Sequence, residues 1–259
     1  MVNVKISIIT VVFNGSKDIE KTILSILNQT YHNLEFIVID GGSTDGTQEI
    51  IKKYDNHIDF WVSEPDRGIY DAMNKGIQKA TGEWVNFMNS GDSFYSKEVL
   101  SKFVVSNLSD YDVVYGSINC ITNSNSFVLK PKSIDRISNS MVFCHQAAFV
   151  KVKHLENIKF DISLKIAADY KLFLTLFRKQ LKFAETDIII ANYEAEDGLS
   201  STSFYKMARE YALVKGNWNS VSVRAYVLLK SSIYILINFI RNVMPLNFRK
   251  FVRKEIIKK

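Results

Sequence analysis

The polar residues that could do chemistry recur at one kind of place in this chain, the end of an apolar run. Lys5 to Phe13 (KISIITVVF) ends at Asn14-Gly15. Leu34 to Ile39 ends at Asp40-Gly41-Gly42-Ser43, and Trp84 to Met88 ends at Asn89-Ser90-Gly91-Asp92. Such runs read as strands covered on both faces. A carboxylate on a glycine-loosened loop at a strand's carboxyl end is well placed to hold a metal ion or a phosphate, which makes Asp92 the first candidate. Another acid, Asp169, falls in the first turn of a helical pattern, Ile166 to Arg178, whose apolar face includes Leu172, Phe173, Leu176 and Phe177. Asp71, Asn74 and Lys75 belong to a second helix, where Ile69, Met73, Ile77 and Ala80 make the apolar face.

The elements that must position these residues alternate. Asp18 can cap a helix carrying Ile19, Ile23 and Leu27 on one face. Thr44 to Tyr54 reads as a helix, Phe60-Trp61-Val62 as a short strand, and Thr81-Gly82 as the stop of the helix that follows. Strands alternating with helices predict an α/β fold, a mostly parallel central sheet with helices on both faces. Ligands then bind outside the carboxyl ends of the strands, so Asn14, Asp40 and Asp92 should converge. Further on, Ser96 to Val105 reads as helix and Asp112 to Tyr115 as strand. Ile118 to Lys130 reads as a hairpin turning at Asn123-Ser124-Asn125. Met141 to Val152 holds Cys144-His145-Gln146 and a strand, Ile188 to Tyr193 is a strand, Glu194 to Ser203 a polar loop, and Phe204 to Lys215 a helix.

Bulk properties narrow the function. At 47% hydrophobic and 12% aromatic residues, the 259-residue chain can bury a full core. Cys120 and Cys144 make neither a disulfide framework nor a zinc spacing, which suits a reducing compartment, and the four histidines are scattered. Met1 to Lys5 runs straight into the first strand, so no secretory leader is expected. The net charge of +6 is carried by residues 216–259, which hold nine Lys/Arg and one acid; the rest has 24 basic and 26 acidic residues. That argues against a nucleic-acid-binding core and for an anionic surface meeting the C-terminus. Ser222 to Val243 is apolar but interrupted by Arg224, Lys230, Asn238 and Arg241. It reads as an amphipathic interfacial helix rather than a span, followed by a basic end (Arg249, Lys250, Arg253, Lys254, Lys258, Lys259) facing anionic headgroups. A helix packed on the domain with a solvated tail is the plainer alternative. Neither a GxGxxG after the first strand, nor a GxxxxGK[ST] loop, nor a Gly-x-Ser-x-Gly elbow occurs.

Ser7 to Asn14, Ser25 to Thr30, Glu35 to Asp40 with Gly42 to Thr47, Tyr70 to Ile77, Ala80 to Trp84 and Asn89 to Asp92 stand in an order that resembles family 2 (GT-A fold) glycosyltransferases. The resemblance is to the subgroup of bacterial capsule, colanic-acid and O-antigen gene clusters, and it covers about residues 5–200. It implies a Rossmann-like GT-A domain over 1–215, with a nucleotide-sugar half to about 115 and an acceptor half beyond, then a basic helical tail over 216–259. It implies that Thr10, Val12, Asn14, Asp40, Asp71, Asn74, Lys75, Ser90 and Gly91 form the nucleotide-sugar site, with Asp40 on the base. Asp92 would hold Mn²⁺ or Mg²⁺, His145 and Gln146 would touch acceptor or diphosphate, and Asp169 would be the catalytic base. Two departures stand out: Asn89, Ser90 and Gly91 replace the earlier acids of the Asp-x-Asp motif, and the acid that usually precedes Asp169 is Ala168. Plainer roles exist for each residue. Asp40 could be a turn residue, Asp71 and Asn74 a solvated face, Lys75 an ordinary exposed lysine, Asp92 a loop acid, Asp169 a first-turn acid and His145 a buried histidine satisfied by the backbone. The implied activity is inverting transfer from a nucleotide sugar, UDP-linked by family habit, to a polysaccharide precursor, by an enzyme peripheral on the inner face of the cytoplasmic membrane. A nucleotidyltransferase and a non-catalytic nucleotide-sugar-binding module are the alternatives.

Overall fold

In this computed structural model the described residues are 4–106, 108, 110–122, 125–194 and 204–243, with side chains from 237 onward excepted. The chain divides into two compact units, Met1–Leu199 and Ser200–Lys259.

The first unit is built on one sheet. Its opening half follows the expected alternation: β1 (Ile6–Val12), α1 (Ile19–Leu27), β2 (Leu34–Asp40), α2 (Thr47–Lys53), β3 (Phe60–Ser63), α3 (Ile69–Ile77) and β4 (Trp84–Phe87). β1 pairs in parallel with β2 on one side and β4 on the other, and β3 continues the parallel half beyond β2. Every residue of β1 and β4 is buried, as a centre strand covered on both faces requires. α3 rides close on β1 because Gly76 has no side chain; a Cβ there would come within 2.5 Å of Ile9 Cγ2.

Beyond β4 the pairing becomes mixed. β5 (Ser93–Phe94) and α4 (Val99–Val105) lead to β6 (Val113–Ile121), β7 (Ser126–Leu129), β8 (Ala148–Lys151), α5 (Ala168–Arg178) and β9 (Phe183–Glu194). The sheet runs β3-β2-β1-β4-β8-β6-β9-β5, with β7 hydrogen-bonded to β6. β8 lies antiparallel between β4 and β6, while β6 and β9 are parallel. The strand expected at 112–115 and the first arm of the hairpin expected over 118–130 are one strand, and within it a Cβ at Gly116 would sit 2.5 Å from Ile188 O. The strand expected at 188–193 begins at Phe183 and ends at Glu194. β7 closes the expected hairpin on β6; Asn123 and Ser124 lie outside the described residues, as does the expected loop beyond Glu194.

A buried acid fixes the amino-terminal edge of this sheet. Burial alone would raise the pKa of Glu35, but Lys5, Ser7 and Thr81 all donate to it and hold it at about 2. In the second unit, α6 (Phe204–Lys215) and α7 (Val221–Val243) pack on each other, with Phe204 stacked on Tyr234 at 5.6 Å. α7 exposes Tyr226, Leu229, Ile233 and Leu236. No helix among the described residues is long and apolar enough to cross a membrane. The basic end from Arg249 lies outside the described residues.

Candidate functional site

The carboxyl ends of β1 and β2 are laced together. Asn14 leaves β1 with φ +50°, a conformation that costs a non-glycine residue energy and survives only where neighbours over-determine it. Here Asn14 N donates to Ser43 Oγ at 2.7 Å and Thr44 N donates to Asn14 Oδ1 at 3.0 Å. Gly15 N and Ser16 N donate to Thr47 Oγ1 and Asp45 Oδ2. The Thr47 hydroxyl and the Ser16 amide hold Asp45 well below the usual carboxylate range.

β4 ends against the same rim. Thr10 Oγ1 donates to Met88 O at 2.7 Å, and Ser90 N donates to Val11 O at 3.1 Å. A cavity of about 590 Å³ opens there, lined by Val12, Phe13, Asn14, Gly15, Asn89 and Ser90 from the strand ends, by Asp66, Arg67 and Tyr70 at the start of α3, and by Leu164 and Lys165 ahead of α5. A cavity of about 710 Å³ between α4 and β9 is larger, but it gathers Val99, Val105, Ile188 and Ile189 and lies away from every strand end named above.

The expected site residues divide by where they stand. Val12, Asn14 and Ser90 line the cavity. Thr10, Asp40 and Asn74 stand behind it. Asp40 has no exposed surface; its carboxylate accepts from Ser43 N at 3.0 Å and from the hydroxyls of Ser43 and Ser63, so it fixes the 41–43 loop. Asn74 copies a strand ladder, donating to Phe160 O and accepting from Phe160 N, both at 2.9 Å, and so places the segment that carries Leu164 and Lys165. Asp71 grips Arg67 through three hydrogen bonds; the guanidinium holds its carboxyl below the usual range, and Asp71 in turn holds the Arg67 pKa up. Lys75 pairs with Glu64 at 2.8 Å and donates to Pro65 O. Gly91 takes φ +99° and donates to Thr22 Oγ1.

The two acids with the strongest chemical claim are joined by one short turn. Asn86, buried in β4, donates both amide hydrogens, to Gln146 O at 2.8 Å and Ala148 O at 2.9 Å, and so pins the 145–147 turn beside β4. From that turn Gln146 Nε2 donates to Asp92 Oδ2 at 3.0 Å. His145 Nε2 lies 3.2 Å from Asn89 Nδ2, and His145 Nδ1 lies 3.5 Å from Asp169 Oδ2. Asn89 approaches with its amide nitrogen, so Nε2 accepts and Nδ1 carries the proton toward Asp169. Asp169 Oδ1 accepts from Tyr170 N at 2.7 Å and lies 3.5 Å from the hydroxyl of Tyr70, which lines the cavity and donates to Ile166 O. Burial pushes the Asp92 carboxyl up to about 6, against the hydrogen bond from Gln146 and the charge of Lys21. Burial also pushes the Cys144 thiol up to about 12, so that cysteine is no nucleophile.

A divalent cation suits this donor set in kind. Asn89 Oδ1 and Ser90 Oγ are buried without a hydrogen-bond partner, three and two residues ahead of the buried Asp92 carboxylate, and all three are hard oxygen donors. Among the described residues no group of three or more His, Cys, Asp or Glu gathers, so substrate oxygens and water would have to complete the shell.

Sequence reasoning missed Phe13, Asp66, Arg67, Tyr70 and Lys165. Arg67 had a signal: it precedes Asp71 by four residues at the start of a helix, the spacing at which opposite charges meet.

The model of the family described as Glycosyl transferase family 2 matches residues 7–163. A PGL/p-HBAD biosynthesis glycosyltransferase of Mycobacterium bovis is 29% identical over 204 residues, covering 76% of this chain and 79% of that protein. Among solved structures, S. aureus TarS 1–349 superposes with TM-score 0.63 at 23% identity, over 81% of this chain and 65% of that one. Its complex with UDP-GlcNAc gives TM-score 0.66 at 21% identity, over 94% and 77%. The mannosyltransferase PcManGT of Pyrobaculum calidifontis, with GDP-Man and Mn²⁺, gives 0.62 at 17% identity, over 97% and 79%. These likenesses establish a GT-A fold.

Proposed function

We propose, from the premise that this chain belongs to glycosyl transferase family 2 and is a glycosyltransferase, that it moves a sugar from a nucleotide-sugar donor to an acceptor hydroxyl with inversion. The observation that carries the reading is the chain of contacts from the 590 Å³ cavity through Tyr70 to Asp169, and from Asp169 through His145 to Asn89 beside Asp92. The cavity would then be the donor pocket and Asp169 the proton acceptor, with the buried Asp92 on the same rim.

In this reading Val12, Asn14 and Ser90 contact the donor, while Arg67 and Lys165 face its diphosphate. Thr10, Asp40, Asp71, Asn74 and Lys75 hold those residues in place. Asp169 takes the proton from the acceptor hydroxyl as its oxygen bonds to the anomeric carbon. The bond from that carbon to the phosphate oxygen breaks, and its electron pair leaves on the nucleoside diphosphate. The Nδ1–H of His145 orients the Asp169 carboxylate. Asp92, with Asn89 and Ser90, would hold Mn²⁺ or Mg²⁺, which when bound offsets charge on the leaving diphosphate. TarS was solved with UDP-GlcNAc and PcManGT with GDP-Man and Mn²⁺, so UDP- and GDP-sugars are the donors to test. Titration calorimetry should give donor binding at least tenfold tighter with Mn²⁺ than with EDTA. A protein that takes up no nucleotide sugar with either refutes the reading.

The acceptor in this reading is a saccharide, free or lipid-linked, of a bacterial cell-surface polysaccharide such as capsule or O-antigen. The exposed Tyr226, Leu229, Ile233 and Leu236 of α7, with Arg224 and Lys230 on the same helix, support a peripheral site on an anionic membrane. The full chain should sediment with vesicles containing anionic lipid and not with neutral ones, and removing residues 222–259 should abolish this. Equal sedimentation with both vesicle types, or with neither, ends the membrane reading.

A further inference from the structure

We infer that Asp66 is the residue that reads the nucleotide's base, through space left by the missing side chain of Gly41, and that the base it accepts carries a ring imide N–H, as uracil, thymine and guanine do. This assignment rests on the donor-site reading above.

Asp40 was the residue expected on the base, and its surroundings prevent that. It is wholly buried, and both carboxylate oxygens are taken by Ser43 and Ser63. The position beside it, Gly41, donates its N–H to Val12 O at the end of β1 and carries no side chain. A Cβ built there would collide with Asp66 Oδ2, lie 3.1 Å from Asp66 Cγ and lie 3.3 Å from Phe13 Cδ2. A carboxylate from a loop 25 positions later therefore occupies the place that a side chain at position 41 would fill.

Asp66 is partly exposed and lines the cavity beside Phe13. The hydrogen bond it takes is on Oδ1, from Gly68 N at 2.7 Å; among the described residues none uses Oδ2. Phe13 is 65% exposed, which is unusual for an aromatic ring at the end of a core strand. A flat apolar face beside an unsatisfied acceptor is a base slot: the ring stacks and the carboxylate selects. A carboxylate only accepts hydrogen bonds. Uracil and thymine offer it N3–H, and guanine offers N1–H and its exocyclic amine together. Cytosine and adenine place a lone pair at the corresponding ring nitrogen, which a carboxylate repels.

The plainer role for Asp66 is an Asx turn that starts α3 through Gly68. The two roles separate on substitution, because asparagine keeps the Oδ1 acceptor for Gly68 N and loses the charge. Titration calorimetry with UDP, GDP, CDP and ADP, all with Mn²⁺, is the experiment. Wild type should bind UDP or GDP at least tenfold more tightly than CDP and ADP. Asp66→Asn, folded by its unchanged thermal transition, should lose tenfold to a hundredfold for the preferred nucleotide, the scale of one hydrogen bond to a charged group. Gly41→Asp combined with Asp66→Gly returns a carboxylate to the slot from the other side and should recover most of that loss. If Asp66→Asn keeps the wild-type preference, Asp66 is a turn residue and the assignment fails while the donor reading stands. If wild type binds none of the four nucleotides, the donor reading fails and takes this assignment with it.

Discussion

Asp169→Asn is expected to lower the rate of sugar transfer by about 10²–10⁴, the usual worth of a positioned general base, while donor affinity stays within about threefold of wild type. The substitution is close to isosteric. The amide oxygen still accepts from Tyr170 N, and the neighbouring His145 loses only a charged partner at 3.5 Å. What disappears is the ability to take a proton. Transfer assayed under saturating donor and acceptor, beside calorimetric donor binding, separates the two effects: a fall in kcat with unchanged donor affinity marks an interaction made in the transition state. Transfer within tenfold of wild type would remove Asp169 from the chemistry and leave it as a first-turn acid favoured by the dipole of α5.

That the candidate site is legible in the sequence at all comes from strand ends. β1, β2 and β4 are so thoroughly buried that their sequences are almost unbroken apolar runs, and the first polar residue after each run marks the rim. Period and punctuation carry that information locally. They say nothing about which way a side chain turns once it reaches the rim. Asp40 and Asp92 look alike in sequence, each an acid following a strand among glycines. Asp40 is consumed by two serines, whereas Asp92 keeps a buried carboxylate beside orphaned oxygens. The partnership of Gly41 with Asp66 is equally invisible, because it joins positions with no periodic relation and depends on the loop after β3 folding back over the loop after β2. Tertiary placement also explains β5, a two-residue strand that exists only because β9 extends far enough to pair with it.

The mixed half of the sheet follows the same logic. A parallel half needs a helix between every pair of strands, and the alternation made that half legible. Beyond β4 the chain pairs through a short 3-10 turn and a hairpin, whose signals are weak, yet this is the part that delivers His145 and Gln146. Asn86 is the residue that makes the delivery possible. A buried amide in the middle of an apolar strand is costly, and Asn86 satisfies only its NH₂: the two donated hydrogen bonds set the 145–147 turn against β4, while Oδ1 has no partner among the described residues. The polar residue interrupting the run Trp84 to Met88 thus marks where a neighbouring backbone is held.

Asp92→Asn should act in opposite directions on stability and on activity. In the metal-free protein the carboxylate is buried, and burial has raised its pKa to about 6. A group whose folded pKa lies above its unfolded value near 3.8 destabilises the folded state once it ionises, a cost that grows as pH rises toward 6 and is complete above it. At pH 7.5 that cost is at most about 3 kcal/mol, from roughly 1.4 kcal/mol for each pH unit of the rise. Asparagine cannot ionise and still accepts from Gln146, so the metal-free variant should melt a few degrees higher than wild type at pH 7.5, with the difference shrinking as pH falls from about 6 and gone below about 4. Activity should fall instead. Without the charge, a divalent cation would lose the Asp92 carboxylate, and the Mn²⁺-dependent part of donor binding should drop by about a hundredfold, with transfer falling at least as far. Wild type should gain thermal stability from added Mn²⁺ plus UDP, and the variant should not. A variant that is both less stable than metal-free wild type and fully responsive to Mn²⁺ would show that Asp92 holds the loop after β4 rather than a cation. The orphaned oxygens of Asn89 and Ser90 would then need another ligand.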